Sequence, residues 1–160
     1  MSMGAPDDFD PNDLPAYQFW QCLGIDPSTA IRADASRQNY SMYPRKWYVD
    51  ATFKCSSCEQ EFCFSATEQQ LWYEEYGFYV DSYAKDCPDC RKSARSLKEL
   101  RQRYDAEIGE VIRTKVVAAK EDLCKVIDQL CGLDAELPER IHENRKILAK
   151  QIAKLRRQDQ

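Results

Sequence analysis

The chain has 160 residues, 43% of them hydrophobic and 31% charged, which is enough for a packed core and argues against global disorder. Its net charge of −4 is unevenly spread. Residues 1–90 carry 6 basic and 15 acidic side chains, whereas residues 91–160 carry 17 and 12. Charge therefore speaks against a phosphate-gripping N-terminal half, and any nucleic-acid contact belongs to the C-terminal half. No apolar run is long enough to span a bilayer, and the acidic N-terminus lacks the apolar segment of a secretory signal. Eight cysteines without such a signal read as thiols and metal ligands of a reducing, cytoplasmic setting, not as disulfides.

In chain order, residues 1–12 are polar and acidic and read as a mobile tail. Tyr17, Phe19, Trp20 and Leu23 fit a short amphipathic helix over residues 14–23, with Pro15 in its first turn and Gly24 at its stop. Asp26-Pro27 predicts the start of another short helix, with Ala30, Ile31 and Ala35 on its apolar side. The lone Cys22 reads as a packed thiol. Residues 40–44 are a turn-rich link. Trp47, Val49 and Phe53 then alternate with polar or small residues, as a strand does.

Cys55-Ser56-Ser57-Cys58 follows that strand, and Glu61-Phe62-Cys63-Phe64 reads as the strand leaving it. Residues 65–77 predict a short helix. Ser65 with Glu68, or Thr67 with Gln70, has capping-box spacing; Gly77 is a left-handed stop; Leu71, Trp72 and Tyr76 share one face. Phe78, Tyr79, Val80 and Tyr83 lead back to Cys87-Pro88-Asp89-Cys90, which lies 28 residues beyond Cys58.

Two C-x-x-C pairs at this separation predict one zinc ion held by Cys55, Cys58, Cys87 and Cys90. Four thiolates complete a tetrahedron and leave no open position, so the site should be structural and not catalytic. Its binding energy would fold a segment too short to rely on an apolar core alone. The second pair sits where a helix begins, and helix N–H groups favour thiolates. Lys54, Lys85, Arg91 and Lys92 could offset the charge of the tetrathiolate, and Cys63 is the competing fifth sulfur.

Tyr48-Val49-Asp50, Thr52-Phe53, the first Cys pair, Glu61-Phe62, Phe64, Glu68-Gln69, Tyr73, Gly77-Phe78 and Cys87-Pro88-x-Cys90-Arg91 follow one another in a familiar order. Over about residues 46–94 the chain resembles the zinc-ribbon (treble-clef) domain of small, mostly uncharacterised bacterial proteins. That resemblance implies the same four ligands and a small zinc-binding fold, and implies no enzymatic activity. Where such knuckles usually carry Gly, this chain has Glu59, which costs about 1–2 kcal/mol if the position is left-handed.

Beyond the second pair, Leu97, Leu100, Tyr104, Ile108, Val111, Ile112, Val116, Ala119, Leu123, Val126, Ile127 and Leu130 recur at three- and four-residue spacing. No proline lies within residues 89–137, and Gly109 is a tolerated weak point. This predicts one helix over about residues 93–131, ended by Cys131-Gly132. Pro138 opens another over about 138–158, carried by Ile141, Ile147, Leu148, Ile152 and Leu155. Cys124 and Cys131 read as core thiols on one stripe, and the lone His142 as solvent-facing.

The expected architecture is α+β: an acidic tail with short helices over residues 1–45, a zinc domain over 46–92, and a long antiparallel helical hairpin over 93–160. The expected role is a non-enzymatic protein-interaction or scaffold module, since no nucleophile, acid/base pair, phosphate loop or His-Asn-His arrangement is present. A protein partner is expected, and a homodimer would cover the long apolar stripe equally well. The crowd of aromatics, 13 of 18 within residues 40–83, reads as a core and docking face. The alternative is a nucleic-acid-binding or transcription-associated regulator using Arg140, Arg145, Lys146, Lys150, Lys154, Arg156 and Arg157. With Asp134 and Glu136 at a hairpin tip, the outline is similar to the DnaK-suppressor/TraR-type regulators, but element order and tip motif differ.

Overall fold

The computed structural model describes residues 5–14 and 16–158. It divides into two units, residues 1–90 and 91–160. Among the described residues, no helix is long and apolar enough to cross a membrane.

The first unit is built on β2 (Trp47–Lys54), the centre of a three-stranded antiparallel sheet between β1 (Gly24–Arg32) and β3 (Glu61–Phe64). Tyr48, Val49, Ala51 and Phe53 of β2 are all buried, so both faces of the strand are covered. Register runs Asp26 opposite Asp50 and Thr52 opposite Cys63.

β1 corrects the expectation of a helix at Asp26-Pro27. The Asp26 carboxylate accepts from the Ser28 amide at 3.0 Å and hydroxyl at 2.6 Å, an Asx turn that competes with helix. The register breaks there, and the Thr29 hydroxyl takes the place of a ladder acceptor for the Asp50 N–H at 2.9 Å. Local capping signals are overridden because β2 supplies partners on both sides of the bulge.

Of the tail expected over residues 1–12, Met1 to Gly4 lie outside the described residues, and the remainder makes contacts within the first unit. Phe9 packs edge-on against Trp47 with centroids 5.5 Å apart, and Asp8 pairs with Arg32. The helix expected over residues 14–23 is only α1 (Ala16–Phe19), and the chain turns at Gln21, whose φ is 55°. Pro15, expected in its first turn, lies outside the described residues.

Gln69 ties the layers together. It lies on α2 (Ala66–Gln70), whose first turn is capped by Ser65 and by Asp50 reaching from β2. The Gln69 amide donates to the Val49 and Phe64 carbonyls and accepts from the Tyr17 hydroxyl, all within 2.8 Å. The helix then widens into a π turn over Leu71–Glu75 and stops at Gly77, with φ 67°. Its buried residues are Ala66, Gln69, Tyr73 and Glu74; of Leu71, Trp72 and Tyr76, expected to share one face, Trp72 packs half-buried on the core and the other two are exposed. Gln69 and the π turn rotate the face.

Arg45 is a buried core residue that sequence reasoning did not single out. Its guanidinium carbon lies 3.7 Å from the Trp20 ring centroid and 4.7 Å from that of Tyr17, and Nε donates to the Val80 carbonyl at 2.8 Å. The rings supply a cation–π cage in place of hydrogen bonds to the two terminal nitrogens.

The second unit is three helices around one core. α3 (Pro88–Val111) starts in the first unit and contributes Tyr104, Ile108 and Val111; α4 (Val117–Leu133) contributes Leu123, Val126, Ile127 and Leu130; α5 (Glu139–Gln158) contributes Ile141 and Leu148. The predicted arm over residues 93–131 is therefore broken, at Ile112 to Val116 and not at Gly109, which stays inside α3. The break falls in a β-branched run, where helix propensity is low. Lys120 holds it: fully buried, its ammonium donates to the Val111 carbonyl at 2.6 Å, the Ile112 carbonyl at 3.2 Å and Gln151 Oε1 at 2.6 Å. A cation on the last carbonyls of α3 also meets the negative end of its dipole.

α4 and α5 are antiparallel, as the pairs Glu121–Arg156 and Asp128–Arg145 show. Cys124 is buried as expected, but Cys131 is exposed, with its sulfur 3.8 Å from Nδ1 of a half-buried His142. Seven residues keep Cys131 within about 20° of Cys124 around the helix, but it lies in the last turn of α4.

Candidate metal centre

Cys55 and Cys58 close a knuckle at the end of β2. The Glu59 amide donates to the Cys55 carbonyl at 3.0 Å and the Cys55 amide to the Gln60 carbonyl at 2.9 Å. This tight return puts Glu59 at φ 63°, the left-handed position its sequence context raised. The knuckle is tied to the segment before α3: the Ser56 amide donates to the Lys85 carbonyl at 3.0 Å and the Ser57 hydroxyl to Asp86 at 2.8 Å. Lys54 pairs with Glu59 at 3.3 Å across the knuckle.

The second pair brackets the start of α3. Pro88 occupies a first-turn position where its missing N–H is no loss. Cys87, just before the helix, accepts the Cys90 amide on its sulfur at 3.4 Å, the role a serine oxygen plays at a helix N-cap. The Cys87 amide in turn donates to the Cys55 sulfur at 3.2 Å.

These two elements bring the sulfurs of Cys55, Cys58, Cys87 and Cys90 within 4.8 Å of one another. A tetrahedron with 2.3 Å Zn–S bonds has edges of about 3.8 Å, and Cys58 and Cys87 lie 3.8 Å apart. Among the described residues this is the group of metal-binding side chains that gathers. Cys63, the competing sulfur, is exposed on β3 and outside it.

The electrostatics are those of a site built for a cation. Burial pushes the Cys55 thiol up, but amide donors from Cys87, Cys58 and Ser57 outweigh it and bring the group down to about 6. Cys90 is pushed up, first by its hydrogen bond with Cys87 and then by that with Cys58. One thiolate is favoured and further ones are resisted by the sulfurs already there. A divalent cation removes that resistance, so the donor set fits a soft metal ion, and binding would release protons.

Residues 49–99 match a family model described as "Probable treble clef domain". No curated protein and no solved structure matches the chain. The match covers the central strand, both Cys pairs and the first turns of α3. The treble-clef domain thus accounts for the resemblance expected over about residues 46–94. It also explains its quoted residues: Asp50 caps α2, Gln69 ties the layers and Gly77 takes the positive φ. Asp86 and Ser57, which brace the knuckle, were missed; a serine inside one Cys pair and an aspartate before the other are too common to single out.

Proposed function

We propose that the protein is a non-enzymatic interaction module in which one structural zinc ion holds the treble-clef domain together. The gathering of four thiols, with amide donors aimed at two of them, carries the zinc part of this reading. Cys55, Cys58, Cys87 and Cys90 would hold the ion, which contributes rigidity and neutralises their charge. A four-thiolate shell leaves no site for substrate, so the module works by binding.

A protein-binding role draws support from the surface of the first unit. Among the described residues, Phe19, Tyr43 and Met42 are its most exposed large apolar side chains, at 81%, 79% and 76%. All three line one cavity of about 400 Å³, walled also by Tyr17, Trp47 and Val80. Apolar side chains clustered around a cavity mark a docking surface better than the same residues scattered singly.

The test is a photo-crosslinking amino acid at Met42 of the full chain in cells. One discrete adduct, lost in Phe19→Ala, is the expected result; an adduct of twice the chain mass would identify a second copy as the partner. No adduct from a folded, zinc-loaded protein would count against the interaction reading while leaving the zinc site standing.

A further inference from the structure

The arginines and lysines of α5 are sorted by face. Arg145 makes a two-pronged pair with Asp128 at 2.8 and 3.0 Å, and Arg156 pairs with Glu121, both across to α4. Lys146, Lys150, Lys154 and Arg157 stand elsewhere. All four are exposed and have no ion pair among the described residues.

Their spacing of four, four and three residues places them within about 80° of one another around the helix, in a row about 16 Å long. Ile141 and Leu148, the buried residues of α5, lie on the opposite side. No acidic residue occurs in residues 144–158, whereas Glu139 and Glu143 precede the row on the same face.

Helix-dipole stabilisation explains cations in the last turn, where Arg157 sits, but reaches only that turn. Lys146 and Lys150 lie too far back to benefit. Solubility would be served as well by mixed signs, which the other helices carry. A row of like cations rising about 6, 6 and 4.5 Å per step complements the closely spaced like charges of a polynucleotide strand.

We propose that this face of α5 binds the phosphate backbone of nucleic acid, without reading bases. The four side chains are the contacts. Spread in a row along one exposed helix face, they suit repeated phosphate contacts, which position and do not specify. The inference goes beyond the zinc-module reading and uses none of its residues.

The test is fluorescence anisotropy of the full zinc-loaded chain with labelled duplex DNA, duplex RNA and single-stranded oligonucleotides. Neutralising four phosphates predicts that duplex-DNA affinity falls about 100-fold between about 50 and 200 mM salt, and a single strand somewhat less. The triple variant K146Q/K150Q/K154Q should abolish most of that affinity and flatten its salt dependence. K125Q, an exposed lysine on α4, should leave both unchanged. Circular dichroism on the triple variant confirms that the exposed substitutions leave the helices intact. No binding at low salt, a flat salt response, or unchanged binding by the triple variant overturns the proposal. Displacement by polyglutamate as readily as by polynucleotide overturns it too, and makes the face a site for acidic protein.

Discussion

Gln69 shows how much one buried side chain can hold. Its amide satisfies two main-chain carbonyls on different strands and the Tyr17 hydroxyl, so every layer of the first unit meets there. Gln69→Leu keeps the volume but removes the side-chain donor to both carbonyls and the acceptor of the Tyr17 hydroxyl, which keeps the Val49 N–H at 3.0 Å. The cost should be about 2–4 kcal/mol in chemical denaturation, since each buried group left unpaired costs about 1–3. A loss below 1 kcal/mol would mean the network is replaced by water at little cost. Glu59 makes the opposite case. A non-glycine residue at φ 63° is strained, and its pair with Lys54 is solvent-exposed and weak. Glu59→Gly should stabilise by about 0.5–1 kcal/mol, the relief of strain less the extra entropy of glycine in the unfolded chain. An unchanged or lowered melting temperature would contradict this. Glu59 was legible in the sequence because knuckle geometry is local. Arg45 was not, because an aromatic cage is assembled from residues 17, 20 and 73 that lie far apart in the chain.

Elements whose signals are local and agree with their surroundings were readable: β2, β3, the Ser65 cap, the Gly77 stop and α5. β1 was not, because Asp26-Pro27 is equally at home in a helix start and in a turn, and only pairing with β2 decides. The break between α3 and α4 was hidden by an apolar period that continues through it. Lys120 marks the place: a lysine in the apolar period is unexpected, and it is buried because the chain must turn there. Lys120→Met removes the ammonium that three acceptors share, and should cost about 2–4 kcal/mol by leaving the carbonyls of Val111 and Ile112 unpaired at a helix end. Helical content should fall little, because α3 and α4 each remain. The Asp128–Arg145 pair gives a pH signature. Its hydrogen bonds with Arg145 hold the Asp128 carboxyl below its ordinary value, so the stability it adds is present at neutral pH. That contribution is lost as pH falls through the depressed value, because the folded state then resists the proton that the unfolded state accepts. Asp128→Asn should weaken the acid dependence of unfolding by a small amount, about 0.5 kcal/mol for an exposed pair. An identical acid limb in the variant would show that the pair is inert.

At the scale of the whole molecule, the acidic unit carries the four thiols and the exposed aromatic rim, and the basic unit carries the cationic face of α5. The metal ligands were legible because C-x-x-C spacing encodes the geometry directly. The surfaces were legible only as composition, since burial decides which aromatics are core and which arginines are already paired. The treble-clef domain depends on the ion in this account: four thiols crowded within 4.8 Å are an unfavourable grouping until a cation joins them. The most direct test is native mass spectrometry of protein purified without chelator or added metal. One zinc per chain, released by acid with all eight cysteines reduced, is the predicted result. A metal-free chain lighter by the hydrogens lost to disulfides would contradict it.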